Sequence, residues 1–257
     1  MRNSKTLKRI REGGVVRCAN LGNYIPPFIA HAARAGFDCI WLDLEHRAMD
    51  IREIQALMAH FRLYDIDCLL RAPTLEKTGL YRYLEEGATG LMIPHVSTAE
   101  RARELVQATK FPPLGDRGLD NAGFDSDYRI NENQLEYVDW ANRETFLVVQ
   151  IETPQAIENI EEIAAVPGVD MLFVGPGDLG LRYQLEGDAD GSRLEAAFER
   201  VAAAAKAHGV AWACPSGTPE DMKHRRAQGA QFLANCGDFM ILKHGLIDAA
   251  NMFEGLD

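Results

Sequence analysis

The chain has 257 residues, of which 47% are hydrophobic and 25% are charged, and this composition excludes a disordered protein. Its 38 acidic and 27 basic side chains give a formal net charge of −11, which is the wrong sign for binding a nucleic acid backbone. The basic start MRNSKTLKRIREGG has no apolar stretch behind it and no later run is long enough to span a membrane, so we expect a cytoplasmic enzyme with neither nucleic acid nor membrane as a partner.

Eight short apolar runs follow one another along the chain and predict eight strands. In chain order they are VVRCANLG near 15, CIWLDLE near 39, CLLRA near 68, GLMIPHV near 90, FLVVQIE near 146, DMLFVG near 170, VAWACPS near 210 and QFLANC near 231. Most of these runs are separated by a segment in which apolar residues recur at helical spacing, such as Ile51, Ile54, Met58 and Phe61. Strands therefore alternate with helices.

Helix start signals support this alternation, because each sits just before a periodic segment. They are the capping-box pairs Asp50 with Glu53 and Ser97 with Glu100, and two threonines that precede a proline, Thr153 and Thr218.

Continuously apolar strands that alternate with helices favour parallel pairing through right-handed crossovers. Eight such units predict a (β/α)8 TIM barrel that forms a single domain over residues 1–257. An open doubly wound sheet is the alternative, but it usually has fewer strands, and the glycine fingerprint GxGxxG is absent. Residues 111–145 exceed the usual spacing after the fourth strand, so we expect an insertion there that serves as a lid or an interface.

The cysteines and lysines argue against a reactive thiol and against Schiff-base catalysis. Five cysteines stand alone without a CxxC pair, which is typical of reduced thiols packed in a core. No lysine falls within a predicted strand, where burial could lower its pKa, and this disfavours Schiff-base catalysis.

In a TIM barrel the reactive groups lie at the carboxyl ends of the strands. The polar residues at those positions are Asp43, Glu45, His46, Arg71, Gln150, Glu152 and Asp178. A histidine suits proton transfer near neutral pH, so we interpret His46 as a catalytic candidate, although a lone histidine is more often structural. The remaining histidines are weaker candidates, since they fall in or beside helices (His31, His60, His208, His224 and His244) or follow a strand-end proline (His95).

Two of these residues predict a metal site. Gln150 and Glu152 are two residues apart on one strand, so both point to the same side. Asp178 lies in VGPGDLG, where glycines allow a ligand to approach the backbone at a helix start. Two carboxylates from neighbouring strands suit a hard cation such as Mg²⁺ or Mn²⁺. A salt bridge from Glu152 to Arg71, and a helix cap at Asp178, are the structural alternatives.

The chain resembles the HpcH/HpaI aldolases, which are class II pyruvate-dependent aldolases. The segments that carry the resemblance, in the same order and spacing, are GFDCIWLDLEH, LLRAP, LMIPHVSTAE, FPPLGDRG, VVQIET and FVGPGDLG. It extends from about residue 15 to 240. It implies a carbon–carbon lyase that cleaves and forms aldols between a 2-oxo acid, pyruvate or hydroxypyruvate, and an aldehyde, through a metal-stabilised enolate.

The resemblance also implies roles for single residues. Glu152 and Asp178 would bind the divalent metal, with Co²⁺ or Zn²⁺ as alternatives to Mg²⁺ or Mn²⁺, and Gln150 would hold pyruvate together with Gly177 and Asp178. Arg71 would stabilise the enolate and His46 would be the base.

Two positions depart from the family pattern. An aspartate that supports the histidine in the family corresponds to Glu85 here, and its additional methylene shifts the carboxylate. The family often reads DGEH where this chain has Asp43, Leu44, Glu45 and His46, a change that would reshape the pocket.

The last segment, GDFMILKHGLIDAANMFEGL, carries a wide apolar stripe. The resemblance implies a homo-oligomer, a hexamer or trimer of dimers, with swapped C-terminal helices. A helix packed on its own barrel fits the stripe nearly as well.

Two other functions remain open from the sequence. An acyl-CoA thioester lyase of the citrate lyase β-subunit type would share the barrel and the metal, but it would need a basic groove for the phosphates of its cofactor. A non-catalytic barrel scaffold is the other alternative, and the intact set of His46, Arg71, Glu152 and Asp178 argues against it.

Overall fold

The computed structural model describes residues 1–130 and 133–256, which form a closed barrel of eight parallel strands and confirm the predicted (β/α)8 TIM barrel. The strands are β1 (Val16–Leu21), β2 (Cys39–Asp43), β3 (Asp67–Arg71), β4 (Gly90–Ile93), β5 (Phe146–Ile151), β6 (Met171–Val174), β7 (Ala211–Pro215) and β8 (Phe232–Gly237). Each strand pairs with the next along the chain, and β8 pairs with β1 to close the barrel. All eight apolar runs of the sequence form strands.

The helices surround the barrel. They are α1 (Lys5–Arg11), α2 (Pro26–Arg34), α3 (Ile51–Leu63), α4 (Lys77–Glu85), α5 (Ala99–Thr109), α6 (Gln134–Glu144), α7 (Pro154–Glu158), α8 (Ile160–Ala164), α9 (Pro176–Leu185), α10 (Ser192–His208), α11 (Pro219–Ala227) and α12 (Asp238–Asn251). Among the described residues, none of the helices combines the length and apolarity needed to cross a membrane.

Most of the predicted helix starts are confirmed. The capping box of Asp50 with Glu53 forms at α3, and the side chains of Thr153 and Thr218 cap α7 and α11. The start of α5 differs by one residue, because Thr98 rather than Ser97 accepts a hydrogen bond from the first turn.

Alternating strand residues fill two cores. Outward side chains such as Leu42 and Val149 pack against the helices, while inward ones such as Leu69 and Val148 fill the barrel. Leu7 of α1 joins the inner core and so closes the amino end of the barrel. The five cysteines are free thiols and four of them are buried, as the sequence predicts. The carboxyl end is left as the open mouth.

The insertion at residues 111–145 lies at the amino end of the barrel. It follows α5, which returns the chain from the mouth, rather than following β4 directly. At its start the buried amino group of Lys110 lies 2.8 Å from the carbonyl oxygen of Thr145 and 2.8 Å from a carboxylate oxygen of Asp170. The amide of Phe124 donates to the carbonyl of Glu85 at the end of α4. The insertion therefore does not form a lid over its own barrel mouth, and an interface role stays a prediction.

Candidate active site

Arg71, the last residue of β3, is held by two carboxylates at the barrel mouth. Register pairs it with Asp43 at the end of β2, and its Nε and one terminal nitrogen donate to the two Asp43 oxygens at 2.9 and 2.7 Å. Its other terminal nitrogen lies 2.9 Å from Glu45, and its guanidinium carbon lies 4.5 Å from the ring centre of Trp41. These contacts fix the plane of the guanidinium.

The ionisation state of Asp43 follows from its contacts with Arg71. Burial alone would raise the pKa of Asp43, but the hydrogen bonds and charge of Arg71 outweigh it and lower the pKa below its ordinary value. Asp43 is therefore ionised. A guanidinium has five N–H groups, of which three are used here, so two remain for a substrate oxygen.

Glu45 links Arg71 to two imidazoles. One of its carboxylate oxygens lies 3.6 Å from Nε2 of His46, and the other lies 3.7 Å from Nε2 of His95. His46 is exposed at the mouth. A carboxylate at this distance stabilises an imidazolium, which is the state that a histidine base reaches after taking a proton.

Glu152 follows β5 and is only 2% exposed. The backbone amide of His95 donates to its Oε1 at 2.7 Å, and the side-chain amide of Gln150 donates to its Oε2 at 2.5 Å. No lysine or arginine of the described residues lies within ion-pair distance of Glu152. The expected alternative of a salt bridge to Arg71 is therefore absent, and a buried carboxylate is left without a permanent cation.

Burial raises the pKa of Glu152 above its ordinary value. The amide and side chain of His95 oppose the shift, whereas the negative charge of Asp178 adds to it. The environment of Glu152 therefore favours an added positive charge, which would relieve both burial and repulsion.

Asp178 lies in the first turn of α9, the helix that follows β6, and β6 pairs with β5, the strand that Glu152 follows. It does not cap the helix, because the N-cap residue is Gly175 and no side chain accepts a hydrogen bond there. Its carboxylate is 45% exposed and lies 3.3 Å from Arg182 one turn later, a surface pair of small energetic value. A side chain built on Gly177 would meet no atom within 4 Å, so the backbone here is open to a ligand.

These residues fit a hard divalent cation. The charge of Asp178 acts on Glu152, and the side-chain oxygen of Gln150, whose amide donates to Glu152, is buried and has no hydrogen-bond partner among the described residues. A Cβ on Gly175 would lie 2.5 Å from Oε2 of Glu152, so only glycine leaves this space free. The described residues hold no cluster of three or more metal-ligating side chains.

The structure does not bring Glu85 to His46. Glu85 is the last residue of α4, a helix that runs from the mouth back to the amino end of the barrel. Its charged neighbours there include Arg117 and Asp125 of the insertion, and burial raises its pKa to about 7. Among residues 1–130 and 133–256 the carboxylate beside His46 is that of Glu45.

The sequence ranked His95 among the weaker candidates, but the structure brings it to Glu152. The residue has a φ of 56°, a left-handed backbone uncommon for a side chain other than glycine, and this turns both its amide and its ring towards Glu152. Its position two residues after β4 was the available signal, because strand-end residues line the mouth of a barrel.

The family model, the similar sequences and the similar structure all agree with one another. A model of the HpcH/HpaI aldolase/citrate lyase family matches residues 23–245. A hydroxypyruvate/pyruvate aldolase of Deinococcus radiodurans is 34% identical, with 98% of this chain and 90% of that protein covered. A 2-dehydro-3,6-dideoxy-6-sulfogluconate aldolase of Pseudomonas putida is 33% identical, with 87% and 88% covered. The crystal structure of an HpcH/HpaI aldolase from Desulfitobacterium hafniense superposes with a TM-score of 0.90 at 32% identity, covering 97% of this chain and 96% of that one.

Proposed function

Because the chain belongs to the HpcH/HpaI aldolase/citrate lyase family, we propose that it catalyses reversible aldol addition and cleavage between pyruvate or hydroxypyruvate and an aldehyde, as a class II enzyme. Its relatives at 33–34% identity over most of its length are aldolases, so the chain is a carbon–carbon lyase. The choice of donor and the need for a metal are parts of the proposal.

The observation that carries this proposal is the buried carboxylate of Glu152, which has no lysine or arginine partner among the described residues and feels the charge of Asp178. We assign these two residues to a divalent ion, Mg²⁺ or Mn²⁺. Such an ion, when bound, supplies Lewis-acid polarisation of the keto group of the donor.

The residues around this pair suit a 2-oxo acid. The start of α9 has no side-chain cap, so the amides near Gly177 and Asp178 are available to the carboxylate of the donor. The unpartnered side-chain oxygen of Gln150 offers an acceptor beside them. For hydroxypyruvate this acceptor suits the additional hydroxyl group.

Arg71 would stabilise the enolate that forms when the donor loses a proton from C3. Its guanidinium already lies in a fixed plane between Asp43 and Glu45, so no reorganisation is needed when negative charge develops. Its two remaining N–H groups are the donors for that charge.

His46 would be the general base in the cleavage direction. It takes the proton from the C4 hydroxyl, the C3–C4 bond breaks, and an aldehyde leaves while the electron pair passes to the enolate. Glu45 stabilises the resulting imidazolium from 3.6 Å. The imidazolium then gives this proton to C3 of the enolate, which forms the 2-oxo acid and returns His46 to its neutral state. Addition is the reverse, with His46 taking the proton from C3 and giving it to the new alkoxide.

We further propose that the chain is a homo-oligomer. The apolar stripe of α12 is left largely uncovered, with Leu246 being 69% exposed. So large an exposed apolar face on one helix is typical of an interface. A second copy of the chain, with α12 packed or swapped between barrels, would cover it.

A panel of aldehydes tests the function with each donor. Consumption of pyruvate or hydroxypyruvate is followed with Mg²⁺ or Mn²⁺ and then with a chelator. We expect consumption with at least one aldehyde and its loss on chelation. Consumption that chelation leaves unchanged would overturn the metal-dependent mechanism, and cleavage of acyl-CoA thioesters alone would favour the thioester lyase instead.

A further inference from the structure

His95 has a backbone conformation that its residue type disfavours. It lies two residues after β4 at the barrel mouth, and its φ of 56° is in the left-handed region. Strain of this kind costs free energy and concentrates at functional sites, where the surrounding structure maintains it. The function proposed above gives His95 no role, although its side chain is 49% exposed at the mouth. The conformation therefore points to a function for this side chain.

The strained backbone brings the ring of His95 against the buried carboxylate of Glu152. Nδ1 of the ring lies 3.1 Å from Oε1 of Glu152. The hydrogen bond to that oxygen is donated by the backbone amide of His95, at 2.7 Å, rather than by the ring. A carboxylate oxygen has two lone pairs, and the amide uses one of them. Oε1 and the unprotonated nitrogen of a neutral imidazole are therefore two adjacent ligand atoms.

The spacing of these two atoms fits a single metal ion. Small divalent ions bind carboxylate oxygen and imidazole nitrogen at about 2.0–2.2 Å, so neighbouring ligands at the right angles of an octahedron lie about 3.0 Å apart. The 3.1 Å between Nδ1 and Oε1 matches this spacing. The described residues hold no preformed cluster of three ligands, so Asp178 would complete the set by turning its exposed carboxylate away from the weak surface pair with Arg182.

The other ring nitrogen of His95 faces a second carboxylate. Nε2 lies 3.7 Å from Oε1 of Glu45, whose other oxygen lies 2.9 Å from Arg71. A histidine that binds a metal through one nitrogen usually turns the N–H of its other nitrogen towards a carboxylate, which fixes the tautomer and strengthens the ligand. Glu45 occupies the place of that carboxylate. His95 thus has a ligand partner on one side and an orienting partner on the other.

We propose that Nδ1 of His95 is a third protein ligand of the divalent ion, beside Glu152 and Asp178, and that Glu45 orients its ring. The proposal rests on the metal-dependent aldolase function argued above. Imidazole nitrogen suits first-row transition metals, whereas Mg²⁺ prefers oxygen ligands. The ion of this site is therefore Mn²⁺ or another transition metal rather than Mg²⁺.

Electron spin-echo envelope modulation of bound Mn²⁺ tests the proposal, because a coordinated imidazole nitrogen gives a ¹⁴N coupling that oxygen ligands do not give. Spectra are recorded without a 2-oxo acid for the wild type, His95→Gly, His95→Asn and His224→Asn. Glycine and asparagine both suit a left-handed backbone, so these two variants keep the amide beside Glu152. His224 is the matched control, since it is an exposed histidine on α11 that lies 3.0 Å from the carboxylate of Glu195.

We expect the ¹⁴N coupling in the wild type and in His224→Asn, and its loss in both His95 variants. By calorimetry, the Kd for Mn²⁺ should rise at least about tenfold in His95→Gly and the Kd for Mg²⁺ less than about threefold. His224→Asn should change neither constant.

Three results would overturn the proposal. They are Mn²⁺ bound to the wild type without a ¹⁴N coupling, a coupling that persists in both His95 variants, and an equal loss of affinity for the two ions. The first would mean that the ring only bridges the carboxylates of Glu45 and Glu152, and the last that His95 acts only on the position of Glu152.

Failure of the underlying metal-dependent function would give another pattern. Wild-type protein that binds no Mn²⁺, or that binds it as well after Glu152→Gln, would overturn that function and this proposal with it. Mn²⁺ binding that Glu152→Gln abolishes, without any nitrogen coupling in the wild type, would overturn only the role of His95.

Discussion

Replacing Arg71 by lysine should keep the charge at the barrel mouth but remove the planar fork. In the folded chain the fork makes three contacts, to Asp43 at 2.9 and 2.7 Å and to Glu45 at 2.9 Å. A lysine ammonium is a point charge that can replace about one of them. Two charge-assisted hydrogen bonds are then lost, at roughly 1.5 kcal/mol each, so we expect the free energy of unfolding to fall by about 3 kcal/mol.

The loss of transition-state stabilisation should be similar in size to this loss of folding free energy. The lysine would lack the two remaining N–H groups that Arg71 offers to the enolate. Losing one such preorganised donor lowers a rate by about 10² to 10³. Metal binding should be unchanged, because Glu152 and Asp178 do not contact Arg71.

Three measurements follow this variant: deuterium exchange at C3 of pyruvate by NMR, urea unfolding, and Mn²⁺ binding. Arg103→Lys is the matched control, because Arg103 lies on α5 in an exposed pair with Glu100 one turn earlier. An Arg71→Lys protein with wild-type exchange would refute the assigned role of Arg71. A rate loss equal to that of the control would refute it as well.

Three further outcomes are expected. Glu152→Gln should abolish the rise in melting temperature that Mn²⁺ gives the wild type, since a neutral amide cannot replace the buried carboxylate; a retained rise would contradict this. Burial raises the pKa of Glu85 to about 7 from 4.5, so the folded chain holds a proton that the unfolded chain releases, and stability should fall as pH rises through that window. Urea unfolding of Glu85→Gln should show a smaller fall than the wild type, and parallel pH curves would count against the shift. Lys110→Met should lower the free energy of unfolding by about 2–4 kcal/mol, because it leaves the partly buried Asp170 without its ammonium partner; a loss below 1 kcal/mol would show that the pair is not stabilising.

The barrel and the strand-end residues could be predicted because both depend on local patterns. Apolar runs with capping signals define the strands and helices, and the period of two along β5 places Gln150 and Glu152 on the same side. The pairing of Arg71 with Asp43 depends on the register between β2 and β3, which no local sequence pattern predicts.

Three features that local sequence patterns do not give depend on chain direction and on loop conformation. Glu85 stands at the position after Arg71 where the family has its supporting aspartate. The helix α4 nevertheless carries it to the far end of the barrel. The position of the insertion was inferred from the end of β4, although α5 lies between the two and reverses the direction of the chain. His95 reaches Glu152 only because of its left-handed backbone, and a residue type alone does not reveal such a conformation.

Mn²⁺ binding tests the central claim most directly, because the ion is paramagnetic and free Mn²⁺ can be counted by electron paramagnetic resonance. Metal-stripped wild type should bind one ion per chain in competition with Mg²⁺, and Glu152→Gln and Asp178→Asn should each lose it. Glu100→Gln, which changes an exposed carboxylate on α5, should bind as the wild type does. Equal binding by all four proteins would contradict the account.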